Sequence, residues 1–131
     1  MASTDLVLVV DDEAPIRRVV RNAVEPEIGS VIEASTGREG IDLAASQRPQ
    51  LVILDLGLPD MEGVEVCREI RGWSSVPILV LSARQSPQEQ ADLLDAGADD
   101  YITKPFSTIE MQARIRSGVE QVRLLLRRLA R

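Results

Sequence analysis

The sequence predicts a doubly wound α/β domain, with five parallel strands in one sheet and helices on both faces. Three observations carry that prediction. Short aliphatic runs alternate with stretches of helical periodicity five times along the chain. Three of those runs are apolar at every position, as buried parallel strands are. The chain has 131 residues, of which 44% are hydrophobic: enough for a single closed core and too apolar for disorder. Alternation of this kind is joined by right-handed crossovers.

The elements follow in order. Leu6 to Val10 is a near-continuous apolar run and the first strand. Ile16, Val19, Val20, Ala23 and Val24 then recur at helical spacing, with Pro15 in a first turn that tolerates it. Ser30 to Ala34 is a weaker strand, and Ile41, Ala44 and Ala45 mark the second helix. Leu51 to Leu54 is the third strand, followed by a helix through Val66 and Ile70. Ile78 to Leu81 is the fourth, followed by a helix through Ala91 and Leu94 that stops at Ala96-Gly97. Tyr101 to Ile102 is a weaker fifth strand. The last helix starts near Ser107 and carries Ile115, Val119, Val122, Leu125, Leu126 and Leu129. The expectation is one domain over 1–131, with its core at about 5–122 and a helix end or linker at 123–131.

Composition narrows the chemistry. There are 21 acidic and 15 basic residues, a net charge of -6, whereas a free-standing nucleic-acid binder is basic. No apolar run approaches the ~20 residues of a membrane span, and the first residues lack the pattern of a secretory signal. One cysteine, Cys67, allows no internal disulfide, which fits a reducing, cytoplasmic setting. There is no histidine, so zinc sites and Ser–His or Cys–His pairs are excluded. Carboxylate, hydroxyl and lysine chemistry remains. Cys67 reads as a small buried hydrophobe and Trp73 as a packing residue.

In open parallel sheets, ligands bind beyond the carboxyl ends of the strands. There the sequence places Asp11 and Asp12 after strand one, Asp55 after strand three, Ser82 after strand four, and Lys104-Pro105 after strand five. Singly, each has a structural explanation: Asp12 as a helix cap, Asp55 as a turn former with Gly57, Ser82 as a loop hydroxyl, Lys104 as a solvated amine. Together on one edge they require several coincidences. Like charges ~4 Å apart repel by roughly 4 kcal/mol at an effective dielectric of ~20, so three acids must protonate, pair or hold a cation. Oxygen-only ligands suit Mg²⁺. A carboxylate can also attack phosphorus to give an aspartyl phosphate. Asp55, central in the set, is the nominated acceptor, with Asp11 and Asp12 holding the metal and Lys104 and Ser82 contacting the remaining oxygens.

Four ordered motifs then match a known family. Val9-Val10-Asp11-Asp12-Glu13, Leu54-Asp55-Leu56-Gly57-Leu58-Pro59-Asp60-Met61-Glu62-Gly63, Leu81-Ser82-Ala83-Arg84 and Asp99-Asp100-Tyr101-Ile102-Thr103-Lys104-Pro105-Phe106 resemble the signature of bacterial response-regulator receiver domains. The resemblance spans Leu6 to about Val122. It implies a flavodoxin-like (CheY-like) sheet of order 2-1-3-4-5. It also implies Asp55 as the phosphorylated residue. Mg²⁺ would be ligated directly by Asp12, Asp55 and the Gly57 carbonyl, and by Asp11 through water. Ser82 and Lys104 would contact the phosphoryl group, Ala83 would leave room for it, and Tyr101 would be the switch aromatic. The phosphodonor would be a histidine kinase. Enzymatic chemistry would be limited to self-catalysed phosphorylation and dephosphorylation.

Leu54 to Asp60 and Arg71-Gly72-Trp73-Ser74-Ser75-Val76-Pro77 further resemble the OmpR/PhoB group, and most of all its potassium-responsive KdpE type. That likeness implies a transcription regulator that contacts DNA only through a C-terminal domain outside this chain. It also implies a phosphorylation-dependent homodimer through the fourth helix, fifth strand and fifth helix. Asp100 with Arg114 and Asp95 with Arg116 match two cross-dimer ion pairs; opposite Glu110, where a third needs a base, stands Gln90. Rival readings are a stand-alone receiver, a phosphorylation-independent interaction module, an aspartyl-nucleophile phosphatase and a flavin carrier. The phosphatase would space its acids Asp-x-Asp, and the flavin carrier would need a phosphate loop that Asp11-Asp12-Glu13 would repel.

Overall fold

The structure is a computed structural model that describes residues 5–83 and 87–117. The elements are β1 (Leu6–Val10), α1 (Ala14–Val24), β2 (Ser30–Ala34), α2 (Gly37–Gln47), β3 (Leu51–Asp55), α3 (Gly63–Arg71), β4 (Ile78–Ser82), α4 (Pro87–Asp95) and β5 (Asp100–Thr103). A final helix, α5, occupies 108–117. All strand pairs are parallel, in the order β2-β1-β3-β4-β5. This is the predicted doubly wound sheet. The residues from Val119 onward that the sequence assigns to the last helix, and Arg84, lie outside the described residues.

The reason three strands read as unbroken apolar runs is visible in the packing. Successive residues of a strand point to opposite faces. Leu8, Val10, Val52, Leu54, Ile78 and Val80 face one core, closed by Ile41 of α2, Val66 and Ile70 of α3 and Leu93 of α4. Val7, Val9, Leu51, Ile53, Leu79 and Leu81 face the other, closed by Val20 and Val24 of α1 and Met111 and Ile115 of α5. Both faces are covered, so neither can alternate with polar residues.

Register aligns the carboxyl ends of the strands. Val10 stands opposite Ala34 and Leu54, Asp55 opposite Leu81, and Ser82 opposite Thr103. Gly63 brings α3 down onto this edge: a Cβ there would lie 2.7 Å from the Leu56 Cα and 3.0 Å from the Asp55 carbonyl oxygen. The predicted stop after α4 is also present, with Gly97 at φ 104, a conformation that favours glycine.

Some residues depart from expectation. On α4 the buried residue is Leu93, followed by Ala96 just past the helix, while Ala91 and Leu94 are exposed. Val19 of α1 and Ala45 of α2 also face solvent. Trp73, expected as a packing residue, is 48% exposed and belongs to neither core. Asp12 does not cap α1; Glu13 holds that position without a side-chain cap bond, and Pro15 sits in the first turn. Cys67 is buried, with Sγ 3.5 Å from the Ala96 carbonyl, and burial pushes its thiol pKa up.

Candidate functional site

The strand ends gather the nominated residues. Asp11 follows β1 directly, Asp55 is the last residue of β3, Ser82 the last of β4, and Lys104 follows β5. Asp11, Asp55 and Ser82 are buried, at 0%, 6% and 3% exposure, whereas Asp12 is exposed. One ligand atom from each of Asp11, Asp12 and Asp55 lies within 4.8 Å of the others. The Lys104 ammonium donates to Asp55 Oδ1 at 2.7 Å and stands 3.7 Å from Asp11 Oδ2. Lys104 is itself fixed by its backbone, whose N–H donates to the Ser82 carbonyl at 2.8 Å. A groove of about 1050 Å³ opens over this edge, lined by Asp12, Asp55, Gly57, Ser82, Ala83 and Lys104 among others.

Each carboxylate is held differently. Asp55 accepts from the Gly57 N–H on Oδ2 at 3.2 Å, so it does start the turn that its sequence context suggested, while Oδ1 takes Lys104. Asp11 accepts from the Glu13 N–H on Oδ1 at 2.9 Å. Its other oxygen, Oδ2, is buried and accepts no hydrogen bond among the described residues. Burial, with the charges of Asp55 and Asp12 added, raises the Asp11 pKa to about 6, against the opposing pull of the Glu13 N–H and Lys104. Lys104 loses basicity to burial but gains more from Asp55, Asp11 and Glu13, so its pKa rises.

Among the described residues, the acids therefore outnumber the Lys104 cation that reaches them. A buried carboxylate oxygen without a donor costs on the order of 1–3 kcal/mol, and a divalent cation would remove that cost. The residues fit Mg²⁺: oxygen donors alone, a buried unpartnered oxygen, an open groove for water ligands, and a carbonyl at Gly57 in an exposed turn beside Asp55.

Two contacts around the site had no local signal in the sequence. Asp60, read as a turn former, accepts from the Gly37 and Arg38 N–H groups at 2.7 and 2.9 Å and so ties the Gly57 loop to the start of α2. Those two bonds hold the Asp60 carboxyl below its usual range. Arg17, on α1, donates from Nη1 to the Asp11 carbonyl at 2.8 Å and from Nε to Glu33 Oε1 at 2.7 Å. Both contacts pair residues far apart in sequence, which periodicity cannot show.

Tyr101 is half-buried and packs against the α2–α4 core. Of the residues proposed for a dimer face, Asp100 and Arg114 pair with each other within this chain at 2.9 Å, and Arg116 pairs with Glu27 at 2.9 Å. Asp95 and Glu110 are exposed and Gln90 is half-buried.

The sequence and the fold are shared with known proteins. The family model of the response regulator receiver domain matches residues 7–116, and the chain belongs to that family. Among curated relatives, the KDP operon transcriptional regulatory protein KdpE of Escherichia coli is 52% identical over 115 residues, covering 88% of this chain and 51% of the relative. The transcriptional regulatory protein KdpE of Mycobacterium tuberculosis is 49% identical over 116 residues, again covering 88% and 51%. The chain thus spans about half the length of these relatives. Among solved structures, a CheY-like response regulator receiver domain protein from Methanospirillum hungatei superposes with a TM-score of 0.86 at 27% identity, covering 92% of this chain and 98% of that one. The response regulator DrrB of Thermotoga maritima, an OmpR/PhoB homologue, superposes at 0.83 with 30% identity, covering 91% and 54%.

Proposed function

We propose that this chain is the phosphoacceptor unit of a KdpE-type transcription regulator and that Asp55 accepts the phosphoryl group. The observation that carries the reading is the 2.7 Å contact between Lys104 and Asp55 beside the buried Oδ2 of Asp11, which accepts no hydrogen bond among the described residues. A carboxylate with an ammonium already on it, at the base of an open groove, is poised to take a phosphoryl group whose new charge the same ammonium can follow.

The chain's own residues would act as follows. An Asp55 carboxylate oxygen attacks the phosphorus of a phosphohistidine on a sensor histidine kinase; the O–P bond forms as the P–N bond breaks, and the nitrogen leaves with the electron pair. Lys104 moves with the developing charge from the carboxylate to a phosphoryl oxygen. Ser82, on the neighbouring strand end, donates its hydroxyl to a second oxygen, and Ala83 leaves space for it. Mg²⁺, held by Asp12, Asp55 and the Gly57 carbonyl with Asp11 behind them, supplies charge neutralisation at the remaining oxygens when bound.

The output follows from where the new bonds pull. Ser82 ends β4 and Tyr101 lies on adjacent β5, so drawing Ser82 toward the phosphoryl group lets Tyr101 turn further inward. The α4–β5–α5 face, with Asp95, Asp100, Glu110, Arg114 and Arg116, then pairs with a second copy. In this reading an output domain outside this chain contacts DNA, and the setting is cytoplasmic. Residues 1–131 form one receiver domain in this reading.

Phosphotransfer from a purified histidine kinase, with Mg²⁺ and with chelator, tests it. One phosphoryl group should transfer only with Mg²⁺, and Lys104→Ala should still accept phosphate yet fail to dimerise. Transfer undiminished by chelator, or full dimerisation of Lys104→Ala, overturns the corresponding role.

A further inference from the structure

Asp11 is held at every point but one. Its N–H donates to the Ala34 carbonyl of β2 at 3.0 Å, and its Oδ1 accepts from Glu13 N–H at 2.9 Å. Its carbonyl accepts from Arg17 Nη1 at 2.8 Å. Only Oδ2 is left over, in the acid cluster. Arg17 is in turn aimed by Glu33, a β2 residue whose Oε1 takes Arg17 Nε at 2.7 Å. The other Glu33 oxygen is held by Arg21 Nε and Nη2 at 2.8 and 2.6 Å. Arg17 and Arg21 are one helical turn apart, so both reach the same strand residue. With two donors of one planar fork committed to acceptors on different elements, the guanidinium has little freedom left.

We infer that Arg17, aimed by Glu33, is a positioning residue for the metal-binding loop: it holds the Asp11 peptide so that the carboxylates of Asp11 and Asp12 converge before any cation arrives. The inference rests on the function proposed above and extends it to residues outside the acid cluster. Partners that orient ligands from behind typically change metal affinity 10–100-fold when removed.

Positioning and simple electrostatics predict different outcomes here. Deleting a cation bonded to the loop that carries the carboxylates should, by Coulomb attraction alone, leave Mg²⁺ binding unchanged or tighten it. Loss of positioning should weaken it. Arg18, exposed on the same helix turn, supplies the charge control. Lysine at position 17 supplies the second control, since it keeps the charge but not the fork.

The experiment is Mg²⁺ titration by calorimetry on wild type, Arg17→Ala, Arg17→Lys and Arg18→Ala. Amide exchange at Glu13, measured in chelator, accompanies it. Arg17→Ala should bind Mg²⁺ about tenfold more weakly or worse, Arg17→Lys should also bind more weakly, and Arg18→Ala should bind as wild type or tighter. In chelator the Glu13 amide should lose protection in both Arg17 variants while β3 amides keep theirs, a local effect that general destabilisation would not give. Wild-type binding with Arg17→Ala equal or tighter overturns the inference alone, as does full affinity in Arg17→Lys, which also serves should Arg17→Ala not fold. A wild type that binds no Mg²⁺ overturns the proposed function and this inference with it.

Discussion

The two ends of the sheet treat their polar groups in opposite ways. At the amino end of β4 and β5, Arg71 donates to the Gly97 carbonyl at 2.7 and 3.0 Å, to the Ser74 and Val76 carbonyls at 3.0 and 2.7 Å, and to Asp99 at 3.0 Å. The same Asp99 oxygen accepts from the Ile78 N–H at 2.8 Å. Every member of that clasp has a partner, and its work is done once the chain is folded. At the carboxyl end, Asp11 and Asp55 share the Lys104 ammonium, Asp12 stands beside them, and a buried Asp11 oxygen accepts no hydrogen bond among the described residues. Fully satisfied polar networks hold a fold together, whereas an unsatisfied buried group points to chemistry that completes it. The contrast separates structural polarity from functional polarity without reference to any relative.

Substitutions at the two ends should therefore fail differently. The largest effect is expected at Asp55: Asp55→Ala should lose phosphate incorporation completely while the domain stays folded, as circular dichroism and autoradiography on the same sample would show. Arg71→Ala should do the reverse. It leaves three carbonyls without their donor and should cost about 2–4 kcal/mol in urea unfolding, with Mg²⁺ affinity unchanged.

Asp11→Asn sharpens the comparison through pH. The folded pKa of Asp11, about 6, lies above the ordinary 3.8. Its contribution to stability is therefore fully present below pH 3.8 and is lost as pH rises through 6. The penalty above that range is on the order of 3 kcal/mol in metal-free protein. Asp11→Asn in chelator should accordingly be the more stable protein at pH 8, with the advantage fading toward pH 4. Urea unfolding of the two proteins across that range checks it, and a constant difference would contradict the assigned burial penalty. The smallest effect belongs to the exposed Asp100–Arg114 pair, where Asp100→Asn should shift monomer stability by only ~0–1 kcal/mol in the same assay.

The parts of the fold legible in the sequence are those governed by local pattern. β1, β3 and β4 stand out because burial on both faces leaves them apolar up to the strand end, where Asp55 and Ser82 close β3 and β4. The carboxylates at 11, 12 and 55, with Ser82 and Lys104, could be placed on one edge because strand ends in a parallel sheet share a side. α4 was read in the wrong phase: only Leu93 within it is buried, and the neighbouring Leu94 offered an equally apolar residue. Trp73, near the end of the third helix, reads as a packing residue, yet it stands two residues beyond α3 and is exposed. Asp60 and Arg17 were invisible for another reason. Their partners are 22–23 and 6–16 residues away, and contacts between elements follow from how the elements stack. Local spacing carries no trace of them.

In the proposed function, Asp55 accepts a phosphoryl group only with the acidic site completed by a cation. Incubation of the wild-type chain with a small phosphoramidate, followed by peptide mapping in a mass spectrometer, tests that directly. One phosphoryl group on Asp55 with Mg²⁺ present, and none with chelator, is the predicted result. A phosphoryl group on any other residue, or equal labelling without the metal, would contradict it.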